Sequence, residues 1–447
     1  MSKARSLAKL PGFRDFPPEE FALRSHLFDA WRRVSRRYGF QEYDGPPLEP
    51  VELYTRKSGA EIVGQLYDFR DKGDRHVSLR PEMTPSLARI LGERSRAMPK
   101  PIRWFTIPQL FRYERQQKGR LREHFQWNVD LLGEDGVEGD AEVLAVALDG
   151  LRELGLDAGQ VRARVSDRIL LSELLRQSGV REEAMEAAFS VVDKIERSPT
   201  DVILARLRDP DIVGLEDEQA RALLALFGRP TLDAVQEAFP DSGAVAERVG
   251  EIRRFLGILN DLGLGDFVEF DLTIVRGLAY YTGIVFEVFD RQGEFRAICG
   301  GGRYDGLLEL VGGEPLPAVG FGLGDVVLSE LLRERGLAPE YHRDVDYFIL
   351  PVSGEQAPLA RQVAAQLRSR GHSVSYALRR HQSVRKQLTA AGTEGAAQVV
   401  ILGPQEVARG VAILRTMSDG GEREISLAGL LQPEGAGSLS GPAREGS

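Results

Sequence analysis

Residues 109–132 read QLFRYERQQKGRLREHFQWNVDLL, two runs of alternating character around a basic turn that contains glycine. Successive side chains of a strand point to opposite faces. Over 122–132 that rule puts Phe125, Trp127, Val129 and Leu131 on one face, and Arg122, His124, Gln126, Asn128 and Asp130 on the other. Five polar positions on one face of so long a strand predict a wet cavity or an exposed surface. In the preceding run Arg112 and Glu114 share a face opposite Phe111 and Tyr113. If the two polar faces match, Arg112, Glu114, Gln126 and Asp130 converge on one cavity, under a loop carrying Lys118, Arg120 and Arg122. Arginine is the side chain best fitted to bidentate phosphate contact, so such a loop could fold over a polyphosphate. A solvated hairpin is often charged as well.

Outward from this hairpin, RWFTI (103–107) reads as a neighbouring strand and residues 19–38 as an amphipathic helix opened by Pro17-Pro18 and closed at Gly39. FQEY (40–43) is a short strand and 85–96 a second helix. Residues 155–262 are rich in Glu, Arg, Ala and Leu with breaks at GLED, GRPT and FPDSG, which predicts an inserted helical module. Strands return with FVEFDLTIV (267–275), YYTGIVFEVFD (280–290) and FRAIC (295–299), and 313–336 reads as loop, strand and helix. Short links between successive strands predict an antiparallel sheet flanked by helices, an α+β fold, in a unit spanning 1–335. From 345 to 432 strands and helices alternate as a small α/β module, and the Gly/Pro-rich stretch 433–447 is expected to be disordered.

The chain has 447 residues, enough for two to four domains at roughly 150 residues each. Its net charge is −9, so nucleic-acid binding would need a local basic patch. One cysteine, Cys299, excludes an internal disulfide framework, and its apolar strand marks it as core. The six histidines show no metal-ligand spacing, so no metal site is expected from protein side-chain clusters. There is no Walker A loop and no GxSxG, and the glycine run at 300–302 suggests close backbone packing. No apolar run reaches a membrane span, and MSKARSLAKLPGF lacks the apolar stretch of a secretory signal. A reducing, cytoplasmic location is the expectation.

The segment FRYERQQKGRLREHFQ (111–126) resembles motif 2 of class II aminoacyl-tRNA synthetases, in the form carried by histidine–tRNA ligases. LRPEMTPSLAR (79–89) resembles that family's amino-acid loop, and VRGLAYYTGIVFE (275–287) with GGGRYDGL (300–307) its two histidine signatures. The order of the segments, the helical insertion and a terminal module similar to an anticodon-binding domain complete a resemblance over about 8–430. It implies ATP-dependent activation of L-histidine and transfer to tRNA(His), with Mg²⁺ accompanying ATP.

The resemblance makes Arg112 and Arg276 the catalytic cations at the α-phosphate. Glu82, Met83, Thr84, Gln126, Asp130, Tyr280, Tyr281 and Tyr304, with both arginines, would bind histidine. Glu114, Arg120 and Arg112 would hold ATP, and Phe125 would stack on adenine. Gln117, Arg379, Arg380 and Lys386 would approach tRNA, and a homodimer would form through about 19–48. Three positions depart from the pattern: Ala279 replaces an aspartate, Val327 the arginine that ends motif 3, and Asp130 a glutamate. The competing possibility is a synthetase-like regulatory subunit of ATP phosphoribosyltransferase, which binds histidine as a signal; such subunits usually lack the module at 345–432.

Overall fold

Helix Pro18–Arg37 starts with proline at its first position, carries Glu19 and Glu20 in its first turn and Arg36 and Arg37 in its last, and ends before Gly39, whose φ of +75° suits glycine. Its buried stripe, Leu23, Leu27, Ala30, Trp31 and Val34, packs on one face of a central sheet. This computed structural model describes residues 8–55, 63–114, 119–228, 231–275, 281–293, 295–341, 343, 345–378 and 382–432. They fall into two units, divided between Pro339 and Glu340.

The strands of the first unit are β1 (Gln41–Glu42), β2 (Leu48–Pro50), β3 (Tyr67–Arg70), β4 (His76–Leu79), β5 (Ile102–Thr106) and β6 (Gln109–Phe111). They continue with β7 (Glu123–Leu132), β8 (Val161–Asp167), β9 (Val268–Phe270), β10 (Ile284–Asp290), β11 (Cys299–Arg303) and β12 (Ala318–Gly324). Eight of them run in the order β1-β5-β7-β12-β11-β10-β8-β9, with β6 paired to β7. The interior pairs are antiparallel, as the short connections predict; the two end pairs, β1–β5 and β8–β9, are parallel. Strands β2, β4 and β3 form a separate small sheet.

Strand β7 carries the architecture. Trp127 stacks on Trp31 with ring centroids 5.9 Å apart and donates its indole N–H to Ser35 Oγ at 3.0 Å. Gly150 of helix Val137–Glu153 leaves room for that indole. Helices therefore seal the face bearing Phe125, Trp127, Val129 and Leu131, while Gln126, Asn128 and Asp130 point the other way.

Three sequence expectations need correction. Residues 161–167, assigned to the helical insertion, form β8 of the central sheet: Val161, Ala163 and Val165 are buried at every second position. The strand expected at FRAIC begins only at Cys299 and consists mostly of the glycine run. Pairing is close there, because a Cβ on Gly301 would lie 2.6 Å from Phe286 and 2.7 Å from Phe321. The strand in LFRYER stops at Phe111.

The insertion thus begins at helix Arg168–Gln177 and extends to helix Gly243–Asp261, around its own core of Leu170, Leu174, Phe189, Leu223 and Val249. Asp167 joins it to the sheet: its carboxylate caps Leu170 N at 2.7 Å and accepts from Arg248 Nε at 2.8 Å.

The second unit holds β13 (Val345–Pro351), β14 (Val374–Tyr376), β15 (Ala396–Leu402), β16 (Val411–Thr416) and β17 (Glu422–Ser426), ordered β14-β13-β15-β16-β17. Strand β13 is buried on both faces, with Tyr347 and Ile349 against helix Ala357–Ser369 and Phe348 and Leu350 in the core that includes Ala391 of helix Val384–Thr393. That is why residues 347–350, YFIL, read as an uninterrupted apolar run. Residues 433–447, expected to be disordered, lie outside the described residues.

Candidate active site

The other face of the sheet is lined by glycine. Across β7 and β12, Asp130 pairs with Gly320, Asn128 with Gly322 and Gln126 with Gly324. A Cβ on Gly320 would sit 2.5 Å from Asp130 Oδ1, and one on Gly322 would sit 2.7 Å from Gln126 Nε2. Gly302 of β11 leaves room for Tyr281 in the same way. The Tyr281 and Tyr304 rings lie 6.3 Å apart, and the Tyr304 hydroxyl donates to Asp130. Burial pushes the Asp130 carboxyl up to about 7, the Tyr304 hydrogen bond pulling the other way. The glycines therefore make room for Asp130, Gln126, Tyr281 and Tyr304, which gather a carboxyl, an amide and two phenols on this face of the sheet.

The second wall comes from far away in sequence. Arg112 donates from Nε to the carbonyl of Pro81 at 2.9 Å, tying the hairpin to the loop that carries Glu82, Met83 and Thr84. Met83 is buried, while Glu82 and Thr84 are partly accessible. Sequence reasoning missed Arg80, a buried cation that fixes this loop: it donates to Gln109 O at 3.0 Å, Asp44 Oδ1 at 2.7 Å and Gly45 O at 2.8 Å. Its signal was an arginine beside the proline of LRPEMT. Glu114 and Arg120 pair at 3.0 Å, and Glu114 Oε2 is buried without a well-aligned hydrogen bond.

The Phe125 ring does not share the face of Gln126 and Asp130, where adenine stacking was expected of it. Alternation along β7 puts its ring on the sealed face, 5.2 Å from Phe28 and 6.0 Å from Phe16, with the Arg24 guanidinium 5.0 Å from its centroid. Its backbone N–H donates to Asp325 Oδ1 at 2.9 Å, and Asp325 also accepts from Arg14 at 2.8 Å. The neighbour that shares the face of Gln126 is His124, paired with Leu110 on the face that continues to Arg112. Burial, with the nearby charges of Arg112 and Arg14, pulls its imidazole down to about 3, so it is neutral at physiological pH. Val327, where the family pattern has arginine, is buried and packs beneath Gly119.

Arg276, Ala279, Tyr280, Gln117, Arg379 and Arg380 lie outside the described residues. Lys386 is exposed on helix Val384–Thr393, whose first turn is capped by Ser383. Among the described residues no cluster of three or more His, Cys, Asp or Glu could hold a metal ion, and no helix is long and apolar enough to cross a membrane. Cys299 is buried in β11.

A family model described as histidyl-tRNA synthetase matches residues 12–325. The chain belongs to the histidyl-tRNA synthetase family. A second model, described as an anticodon binding domain, matches 346–432. The histidine–tRNA ligase of Opitutus terrae is 42% identical over 93% of this chain and 95% of its own length. The chloroplastic/mitochondrial histidine–tRNA ligase of Arabidopsis thaliana is 39% identical over 94% of this chain and 85% of its own. The crystal structure of a histidyl-tRNA synthetase from a Nostoc species superposes with a TM-score of 0.81 at 23% identity, over 95% of this chain and 98% of that one, which shows the shared fold. Asp130, Tyr304, Arg112 and the 80–84 loop are therefore features of a synthetase-family fold.

Proposed function

We propose that this chain activates L-histidine with ATP and transfers it to tRNA(His). The observation that carries this reading is the buried Asp130–Tyr304 pair packed over the glycines of β12, on the same face of the sheet as Gln126. Histidine brings an ammonium and two ring nitrogens, which call for carboxylate, amide and phenol partners. A site that hydrogen-bonds its substrate rejects analogues lacking those groups by roughly 10⁴–10⁵, so no separate editing step is needed.

In the first step a histidine carboxylate oxygen attacks the α-phosphorus of ATP. A P–O bond forms, the bond to the bridging oxygen breaks, and pyrophosphate leaves. The attacking group is already ionised, so the protein's work is to neutralise charge and align the reactants. Arg112, held by Pro81, supplies one cation, and Arg276 supplies the second. Glu82, Met83, Thr84, Tyr280 and Tyr281 complete the amino-acid pocket, while Glu114 and Arg120 hold the nucleotide. Glu114 would offer an oxygen ligand to the Mg²⁺ that accompanies ATP. In the second step a ribose hydroxyl of the terminal tRNA nucleotide attacks the activated carbonyl, loses its proton, and AMP leaves. Gln117 approaches that end of the tRNA; Arg379, Arg380 and Lys386 approach the anticodon stem. The reading includes a homodimer, built through helix Pro18–Arg37 and the strand after it, and a cytoplasmic location.

The test is ATP–pyrophosphate exchange with each of the twenty amino acids. Exchange with histidine alone is the expected result, together with its loss in Arg276→Ala. Silence with all twenty, in folded protein that still binds histidine, would overturn the enzyme in favour of a histidine-sensing regulator.

A further inference from the structure

Residues 12–16, just before helix Pro18–Arg37, grip the base of the β6–β7 hairpin. The carbonyl of Gly12 accepts from Arg122 N at 3.0 Å, and the carbonyl of Arg122 accepts from Arg112 N at 3.0 Å, so two backbone hydrogen bonds connect this segment to Arg112. Gly12, at φ +86°, permits the approach: a Cβ there would lie 2.7 Å from Arg122 Cγ. The Phe13 ring lies 6.4 Å from Phe111, and Phe16 lies 6.0 Å from Phe125. Between these two rings Arg14 donates to Glu123 from Nε at 2.6 Å and from Nη2 at 3.2 Å, and to Asp325 from Nη1 at 2.8 Å. Both acceptors are buried, and each has a second duty. Glu123 accepts from Gln109 Nε2 at 3.0 Å, and Asp325 accepts from the backbone N–H of Phe125 at 2.9 Å. One guanidinium thus joins β6, β7 and the first residue of helix Asp325–Glu334. Two carboxylates out of water repel each other unless a cation sits between them.

We propose that Arg14 is a positioning residue for the activation step: through Glu123 and Asp325 it sets the hairpin base against helix Asp325–Glu334, and with it the place of Arg112. The assignment rests on the histidine-activating function proposed above and names a residue that acts on it from outside the reacting groups. Arg112 leaves this base to reach the carbonyl of Pro81, so any play between β6 and β7 passes directly to its guanidinium. Val327 meets the turn at Gly119 through a methyl group, so the charged tie between helix and hairpin runs through Arg14. The influence is local. Glu123 stands seven residues from Asp130 along β7, roughly 23 Å at about 3.3 Å per residue, so the Asp130–Tyr304 pair is held independently of this tie.

The test is ATP–pyrophosphate exchange on the full chain, with kcat and the KM values for ATP and histidine measured separately. Moving a positioned group by about 1 Å costs roughly 10²-fold, and Arg14→Gln should lower kcat/KM for ATP by about that factor. KM for histidine should change less than about twofold. A merely structural role would remove active enzyme, lowering kcat while leaving both KM values alone. Asp325→Asn keeps an acceptor for the Phe125 N–H and strands no charge, so it folds even where Arg14→Gln does not; its KM for ATP should rise about fivefold. Because both changes cut the same tie, the double variant should lose no more than Arg14→Gln alone. Unchanged ATP kinetics in Asp325→Asn would overturn the proposal, as would additive losses in the double variant or equal rises in both KM values. These outcomes separate from failure of the parent reading: wild-type protein that shows no histidine-dependent exchange refutes the function, whereas normal wild-type exchange with an indifferent Arg14→Gln refutes only the role of Arg14.

Discussion

Asp130 and Phe125 show how far single residues can be read from sequence. Period-two alternation separated Phe125 from Gln126 and Asp130 from the outset, yet family resemblance drew its ring toward the nucleotide; the Phe16–Phe28–Arg24 enclosure restores the physical rule. Phe125→Ala should lower stability by about 2–3 kcal/mol through lost packing, visible as a drop in the denaturation midpoint. Asp130 was legible as a residue of the polar face, but its proton was not, because that depends on the depth of burial and on Tyr304. With the carboxyl near pH 7, about a tenth is ionised at pH 6 and about nine tenths at pH 8. Histidine affinity that needs the carboxylate should therefore rise nearly tenfold across that range, measured by calorimetric titration against Asp130→Asn, whose profile should lack this component. The same shift acts on folding. The unfolded carboxyl ionises near pH 3.9 and the folded one near 7, so the unfolded state gives up its proton first and the empty fold loses stability as pH climbs between those values.

Elements were legible where periodicity was long and hidden where neighbours masked it. Helix Pro18–Arg37 and strand β7 announce themselves over twenty and ten residues, with caps and alternation agreeing. Strand β8 did not, because VRARVSD runs straight into the helical sequence of the insertion and only three of its apolar positions alternate. Strand β11 was hidden for another reason: a run of glycines has no side chains to show a period, although the sheet needs that bareness. β17 is mostly exposed, so it lacks an apolar signal. The junction between β8 and the insertion makes a prediction of its own. Asp167 is fully buried, caps the helix starting at Arg168 and holds Arg248. Asp167→Ala strands a partly buried guanidinium and removes the cap, a change of about 3–5 kcal/mol for breaking such a pair. Hydrogen exchange should speed up across 168–261 while amides of β7, β11 and β12 stay protected; uniform loosening of both regions would show that the insertion is not a separate cooperative unit.

At the scale of the whole molecule, the two units each own an apolar core: Trp31, Trp127 and their neighbours in one, Tyr347, Ile349 and Val363 in the other. Their division was visible in sequence as the change from long antiparallel runs to strand–helix alternation near residue 340. Each unit can melt as a cooperative event of its own, so scanning calorimetry should resolve a heat-absorption peak for the unit from Glu340 onward, smaller in enthalpy than that of the larger unit because fewer residues melt. Added histidine and ATP should move only the larger peak upward. The order of those peaks would matter to a growing cell. If the carboxy-terminal unit melted first, a mild heat shock would leave the amino-terminal unit still consuming ATP to form adenylate that reaches RNA poorly, a slow leak of nucleotide with little gain in translation. Growth near the upper temperature limit should therefore select for a carboxy-terminal unit at least as heat-resistant as the larger one.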